Sequence, residues 1–174
     1  MDMVLDRKAL TRRSLLKKSV TLGAAFVVGT HWVASYNAAW ALKLAHVSPE
    51  SMATLIQLAR DIYPHDHIGD EFYAAAVKGY DSGESAKMIE DGIAGLNAAA
   101  RGKGFANYLD AGWERDRIDI LRGMENSEFF QTIRGGLVTG LYNQKAVWPL
   151  FGYEGESYSK GGYIDRGFDD INWL

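Results

Sequence analysis

The chain has 174 residues, 19 basic against 22 acidic side chains, and no cysteine. That composition excludes a thioether-linked haem, a thiolate-held iron–sulfur cluster, disulfide bonds and a thiol nucleophile. The first 41 residues hold six basic and two acidic side chains, so the remainder carries thirteen basic against twenty acidic, a net charge of −7 that disfavours nucleic acid and anionic membrane surfaces.

The first element in chain order is an export segment. Thr11-Arg12-Arg13-Ser14-Leu15-Leu16 precedes two lysines and a moderately apolar run. The paired arginines with Leu15 and Leu16 match the twin-arginine pattern, whose partner is the Tat translocase and whose cargo crosses the membrane already folded. A membrane anchor fits less well, because Gly23, Gly29, Thr30 and His31 interrupt the run before it reaches the roughly 20 apolar residues of a spanning helix. Ala39-Trp40-Ala41 supplies the small residues of a cleavage site, with Ala39 and Ala41 at the specifying positions, and predicts a mature start at Leu42. Residues 1–41 are therefore read as a cleavable signal, and the location as periplasmic.

The mature part reads as helices. Ser48-Pro49-Glu50 is a start signal, and Met52, Leu55, Ile56, Ala59, Ile62 and Tyr63 recur at helical spacing until Pro64 stops the run. A second helix is expected over residues 70–80. A third carries Ile89, Ile93, Leu96 and Ala100 on one stripe and ends at Gly102 and Gly104. The fourth, residues 112–124, puts Trp113, Ile120, Leu121 and Met124 together, and the fifth starts near Asn126-Ser127 with Phe130, Ile133, Leu137 and Leu141 in line. Gly135 and Gly136 inside it each cost ~1 kcal/mol against alanine, which predicts a close backbone approach in preference to a break. No segment alternates with period two, so the expected fold is all-α: a small bundle of about five helices over residues 42–149.

From Leu150 the pattern changes to LFGYEGESYSKGGYIDRGFDDINWL, with five glycines and six aromatics. It predicts an irregular arm over residues 150–174 whose rings, Phe151, Tyr153, Tyr158, Tyr163, Phe168 and Trp173, pack either on the bundle or on a partner.

Chemical motifs are few. His65-Asp66-His67 is the best local group of metal ligands, although the junction of two helices is also where aspartates act as caps. Ser157-Tyr158-Ser159-Lys160 matches a Ser-x-x-Lys pattern but lacks its companion motifs. Glu114, Asp116 and Asp119 alternate with Arg115, Arg117 and Arg122 as a solvated, salt-bridged face would. With no nucleotide-binding loop either, no catalytic or cofactor-binding residue is assigned in this chain.

The twin-arginine segment, LARDIYPHD, FFQTIRGGLVTGLYN and the late FGYEG together resemble the gluconate 2-dehydrogenase subunit 3 family, the small partner subunits of periplasmic flavin dehydrogenases. The ending KGGYIDRGFDDINWL looks closest to members paired with glucose–methanol–choline-type sugar or glycoside dehydrogenases. The resemblance implies a noncatalytic subunit whose large partner binds FAD, oxidises an alcohol carbon and passes electrons to a cytochrome c subunit. It also implies that this chain carries the export address for both, as a hitchhiker complex, and that any membrane association comes through that complex. The competing reading is a self-sufficient periplasmic metal-binding protein or enzyme built on His65, Asp66 and His67.

Overall fold

A serine and a proline set the start of the first helix. The structure, a computed structural model, describes residues 43–166 and residue 168. Helix α1 runs Pro49–Ile62, with the Ser48 hydroxyl accepting from the Ser51 amide at 3.2 Å and Pro49 in the first turn, where an N–H has no helical acceptor. Next come α2 (Asp70–Val77), extended by a 3-10 turn Lys78–Tyr80, then α3 (Ala86–Gly102), α4 (Glu114–Arg122) and α5 (Glu128–Tyr142). Two further 3-10 turns, Trp148–Phe151 and Tyr158–Lys160, punctuate the arm. Among the described residues the chain is all-α, with five α-helices and no strand, and the C-terminal stretch is irregular. The signal residues Arg12, Arg13, Leu15 and Leu16, the cleavage residues Ala39 and Ala41, and Trp173 lie outside the described residues.

Helix α1 is the centre of the bundle, packed by α2, α3, α4 and α5. Its apolar stripe of Met52, Leu55, Ile56 and Ala59 is buried, and so is the opposite side, with every residue from Ser51 to Ala59 out of solvent. The polar side chains there are tolerated because each has a partner. Ser51 donates to Glu90 at 2.5 Å, Thr54 to the Glu50 carbonyl at 2.9 Å, and Gln57 to Asp61 at 3.1 Å. The chain leading into α1 is fixed by Asp81, whose carboxylate accepts the amides of Ala45, His46 and Val47 at 2.8–2.9 Å.

Helix α5 lies along α2 and is continuous through Gly135 and Gly136. A Cβ on Gly136 would sit 1.9 Å from the Tyr80 hydroxyl, and one on Gly140 would sit 2.9 Å from the Ala76 carbonyl, whereas one on Gly135 would meet open space. The close approach expected from the glycine pair is therefore made by Gly136, and one turn later by Gly140. Two side chains differ from the stripes read in the sequence. Phe129 takes the buried position ahead of Ile133, Leu137 and Leu141, leaving Phe130 half-buried, because Ser127 caps the helix and puts Phe129 over Gly92. Trp113 is 77% exposed: it occupies the extended N-cap position of α4, where φ −97° and ψ 134° turn its side chain out of the helical stripe.

Candidate functional site

The turn after α1 is held from three directions. Arg60 donates to the Asp70 carboxylate at 2.7 Å and to the Ile68 carbonyl at 3.1 Å, and its guanidinium lies over the Tyr73 ring at 5.4 Å. The Tyr73 hydroxyl donates to the Tyr63 carbonyl at 2.6 Å, and burial pushes its pKa up to about 12. These contacts fix the backbone of Tyr63-Pro64-His65 and aim the side chains of Tyr63 and His65 at the C-terminal end of α5.

There they meet Tyr142. Its ring stands edge-on to both Tyr63 and His65 at 5.7 Å, and its hydroxyl is 2.7 Å from His65 Nε2. Burial, then the neighbouring His67 and Arg60, hold His65 below the usual histidine range, which favours the neutral imidazole for this hydrogen bond. Phe151 closes the group from the 3-10 turn, edge-on to His65 at 5.1 Å and to His67 at 5.2 Å. Trp148, in the same turn, donates to the Tyr142 carbonyl at 2.8 Å, and Tyr153 rests on its ring at 5.3 Å. The outcome is an aromatic hub that roots the C-terminal arm on the bundle, with contact geometry of the kind that stabilises ring pairs by ~0.5–1.5 kcal/mol each.

No family model, curated protein or solved structure matches this chain. The hub joins three stretches far apart in the chain: residues 58–66 supply Tyr63 and His65, residues 129–143 supply Tyr142, and residues 151–155 supply Phe151 and Tyr153.

The candidate metal ligands behave differently from a chelating set. His65 and His67 have ring centroids 5.8 Å apart and share Phe151 as a neighbour, while Asp66 is exposed. Among the described residues no group of three or more His, Cys, Asp or Glu side chains is arranged to hold a metal ion. Of the expected docking aromatics, Phe151 is half-buried in the hub and Tyr153 covers Trp148. Tyr158, Tyr163 and Phe168 are 95%, 78% and 78% exposed.

The charged face expected on α4 is only partly solvated. Arg122 and Asp119 pair at the surface at 3.3 Å, but Arg117 turns inward onto Asp61 of α1. Its Nε and Nη2 donate to the Asp61 oxygens at 2.8 and 3.0 Å, and Nη1 donates to the Ala111 carbonyl at 2.9 Å. Tyr108 completes the network by donating to Asp61 at 2.6 Å, and burial raises its hydroxyl pKa well above the usual value. Nothing local marks Arg117 among its neighbours; only its position one turn before the buried Ile120 and Leu121 hints at an inward side chain.

Proposed function

We propose that this chain is an exported, noncatalytic small subunit that escorts and stabilises a flavin-dependent sugar or alcohol dehydrogenase. The observation that carries the reading is a twin-arginine pattern on a chain in which, among the described residues, four of the five large apolar side chains more than three-quarters exposed, Tyr158, Tyr163, Ile164 and Phe168, lie on one arm, Trp113 on the bundle being the fifth. Three of the stretches that resemble the gluconate 2-dehydrogenase subunit 3 family, LARDIYPHD, FFQTIRGGLVTGLYN and FGYEG, support it, since they meet in the hub that roots that arm. On this reading FAD sits in the catalytic partner, hydride leaves the substrate alcohol carbon there, and electrons continue to a cytochrome c subunit. Flavin insertion requires the partner to fold in the cytoplasm, and a folded-cargo export route is the consequence. The metal-site reading has less support, because His65 Nε2 is engaged by Tyr142 and Asp66 faces solvent.

The test is to purify the tagged chain from the periplasm under mild conditions, and again after separation from whatever accompanies it. FAD and dehydrogenase activity should elute with the first preparation and be absent from the second, which should be colourless and helical by circular dichroism. Stoichiometric flavin, haem or metal retained by the isolated chain would overturn the reading, as would the absence of any flavoprotein from the first preparation.

A further inference from the structure

The C-terminal arm leaves most of its rings in solvent, yet it is braced. The Glu154 carboxylate pairs with Arg166 and lies 3.7 Å from Lys160 Nζ, and Lys160 also donates to the Glu154 carbonyl. Lys145, just beyond α5, holds Glu156 at 3.2 Å. The backbone turns agree with the bracing: Gly152, Gly155, Gly161 and Gly162 take positive φ, and the amides of Lys160 and Gly162 both reach the Ser157 carbonyl, at 3.0 and 2.8 Å. A loop tied in this way presents Tyr158, Tyr163 and Ile164 outward without burying them against one another, and Phe168 is exposed as well.

The size of that surface says what kind of occupant it suits. Four such side chains offer on the order of 600 Å2, at ~150–250 Å2 for each aromatic ring, and one side of an ordinary stable protein interface is ~800 Å2. Tyrosine and phenylalanine are also the residue types enriched at the centres of such interfaces. A second copy of this chain is disfavoured as the occupant, because beyond residue 41 each copy carries twenty acidic against thirteen basic side chains and like charge opposes self-association.

We propose that the arm over residues 154–166 is a preformed docking loop for the flavin-dependent catalytic subunit, and that Glu154 is the positioning residue that keeps it preformed. The proposal rests on the small-subunit reading of the chain. Its physical content is preorganisation: with the loop braced beforehand, the cost of ordering its backbone is not charged to the binding step.

The experiment compares the tagged full-length chain, Glu154→Gln, and the triple variant Tyr158→Ser/Tyr163→Ser/Phe168→Ser, each produced together with the dehydrogenase. FAD recovered per tagged chain, the dissociation constant for the FAD-containing subunit, amide exchange over residues 157–166 of the separated chain, and its molar mass are measured. The wild-type chain should bring FAD, and the triple variant should bring little. Glu154→Gln should bind about two- to fivefold more weakly, the scale of the exposed ion pairs it makes with Arg166 and Lys160, with faster exchange in the loop and an unchanged melting transition of the bundle. If wild type and both variants hold the FAD subunit equally well, the docking loop is overturned and the small-subunit reading stands. If the wild type itself brings no FAD, both fall. Weak binding by the triple variant beside normal binding and exchange in Glu154→Gln would remove the role of Glu154. A wild-type dimer dispersed by the triple variant would assign the loop to a second copy and overturn the proposed occupant.

Discussion

Asp61→Ala isolates the interaction that ties α4 to the central helix. The Asp61 side chain is 4% exposed and that of Arg117 13%, so the substitution strands a guanidinium that cannot shed its charge in a site with little water. Breaking a buried pair from one side costs about 3–5 kcal/mol. The Tyr108 hydroxyl and the Gln57 amide lose their acceptor in the same step, while the Ala111 carbonyl still receives Arg117, which places the expected loss near the lower end, about 3 kcal/mol. For a domain of this size that corresponds to a melting midpoint lower by roughly 10 °C. Tyr108→Phe leaves the ion pair intact and should cost only about 1 kcal/mol. The double variant Asp61→Leu/Arg117→Met, which removes both charges, should recover most of the loss, because the penalty lies in the unpaired charge and not in the absence of the pair. Thermal and urea melts followed by circular dichroism measure all three. An Asp61→Ala variant within about 1 kcal/mol of wild type, or a double variant as unstable as the single one, would refute the reasoning.

Three other outcomes are expected of the same structure. Gly140→Ala should lower stability by about 1–3 kcal/mol, because its Cβ meets the immovable Ala76 carbonyl, whereas Gly135→Ala, facing open space, should be neutral or raise it by up to about 1 kcal/mol; paired melts distinguish them. Tyr73 titrates near 12 when folded and near 10.0 when unfolded, so its contribution is complete below pH 10 and is lost as pH rises toward 12; melts from pH 9 to 12 should show the midpoint falling more gently in Tyr73→Phe. Ending the chain after Gly155 removes the exposed Tyr158, Tyr163 and Phe168 but keeps Phe151 against His65 and His67, so its melt should match wild type, while ending it after Pro149 should lower the midpoint.

The helices were legible where burial is one-sided. Ile89, Ile93, Leu96 and Ala100 on α3 form a clean stripe because the other face of α3 meets solvent, and the sequence shows that stripe directly. Helix α1 hides its centrality, since Thr54 and Gln57 look like surface residues until their carbonyl and carboxylate partners are seen. Trp113 misleads because an N-cap residue shares the helical register in sequence but not the helical backbone. The hub and the Asp61–Arg117 pair join residues far apart in the chain, Arg117 lying 56 positions from Asp61 and Tyr142 lying 77 from His65, and no local periodicity encodes a pairing of that range. The histidines drew attention as metal ligands because their spacing is visible, while the ring both of them pack against, Phe151, comes from the other end of the chain.

The claim that this chain is an export escort is tested most directly by replacing Arg12 and Arg13 together with lysine, then fractionating cells and assaying flavin-dependent dehydrogenase activity in each compartment. The escort account predicts that both this chain and the flavin subunit remain in the cytoplasm. Full dehydrogenase activity in the periplasm of the double variant would contradict it.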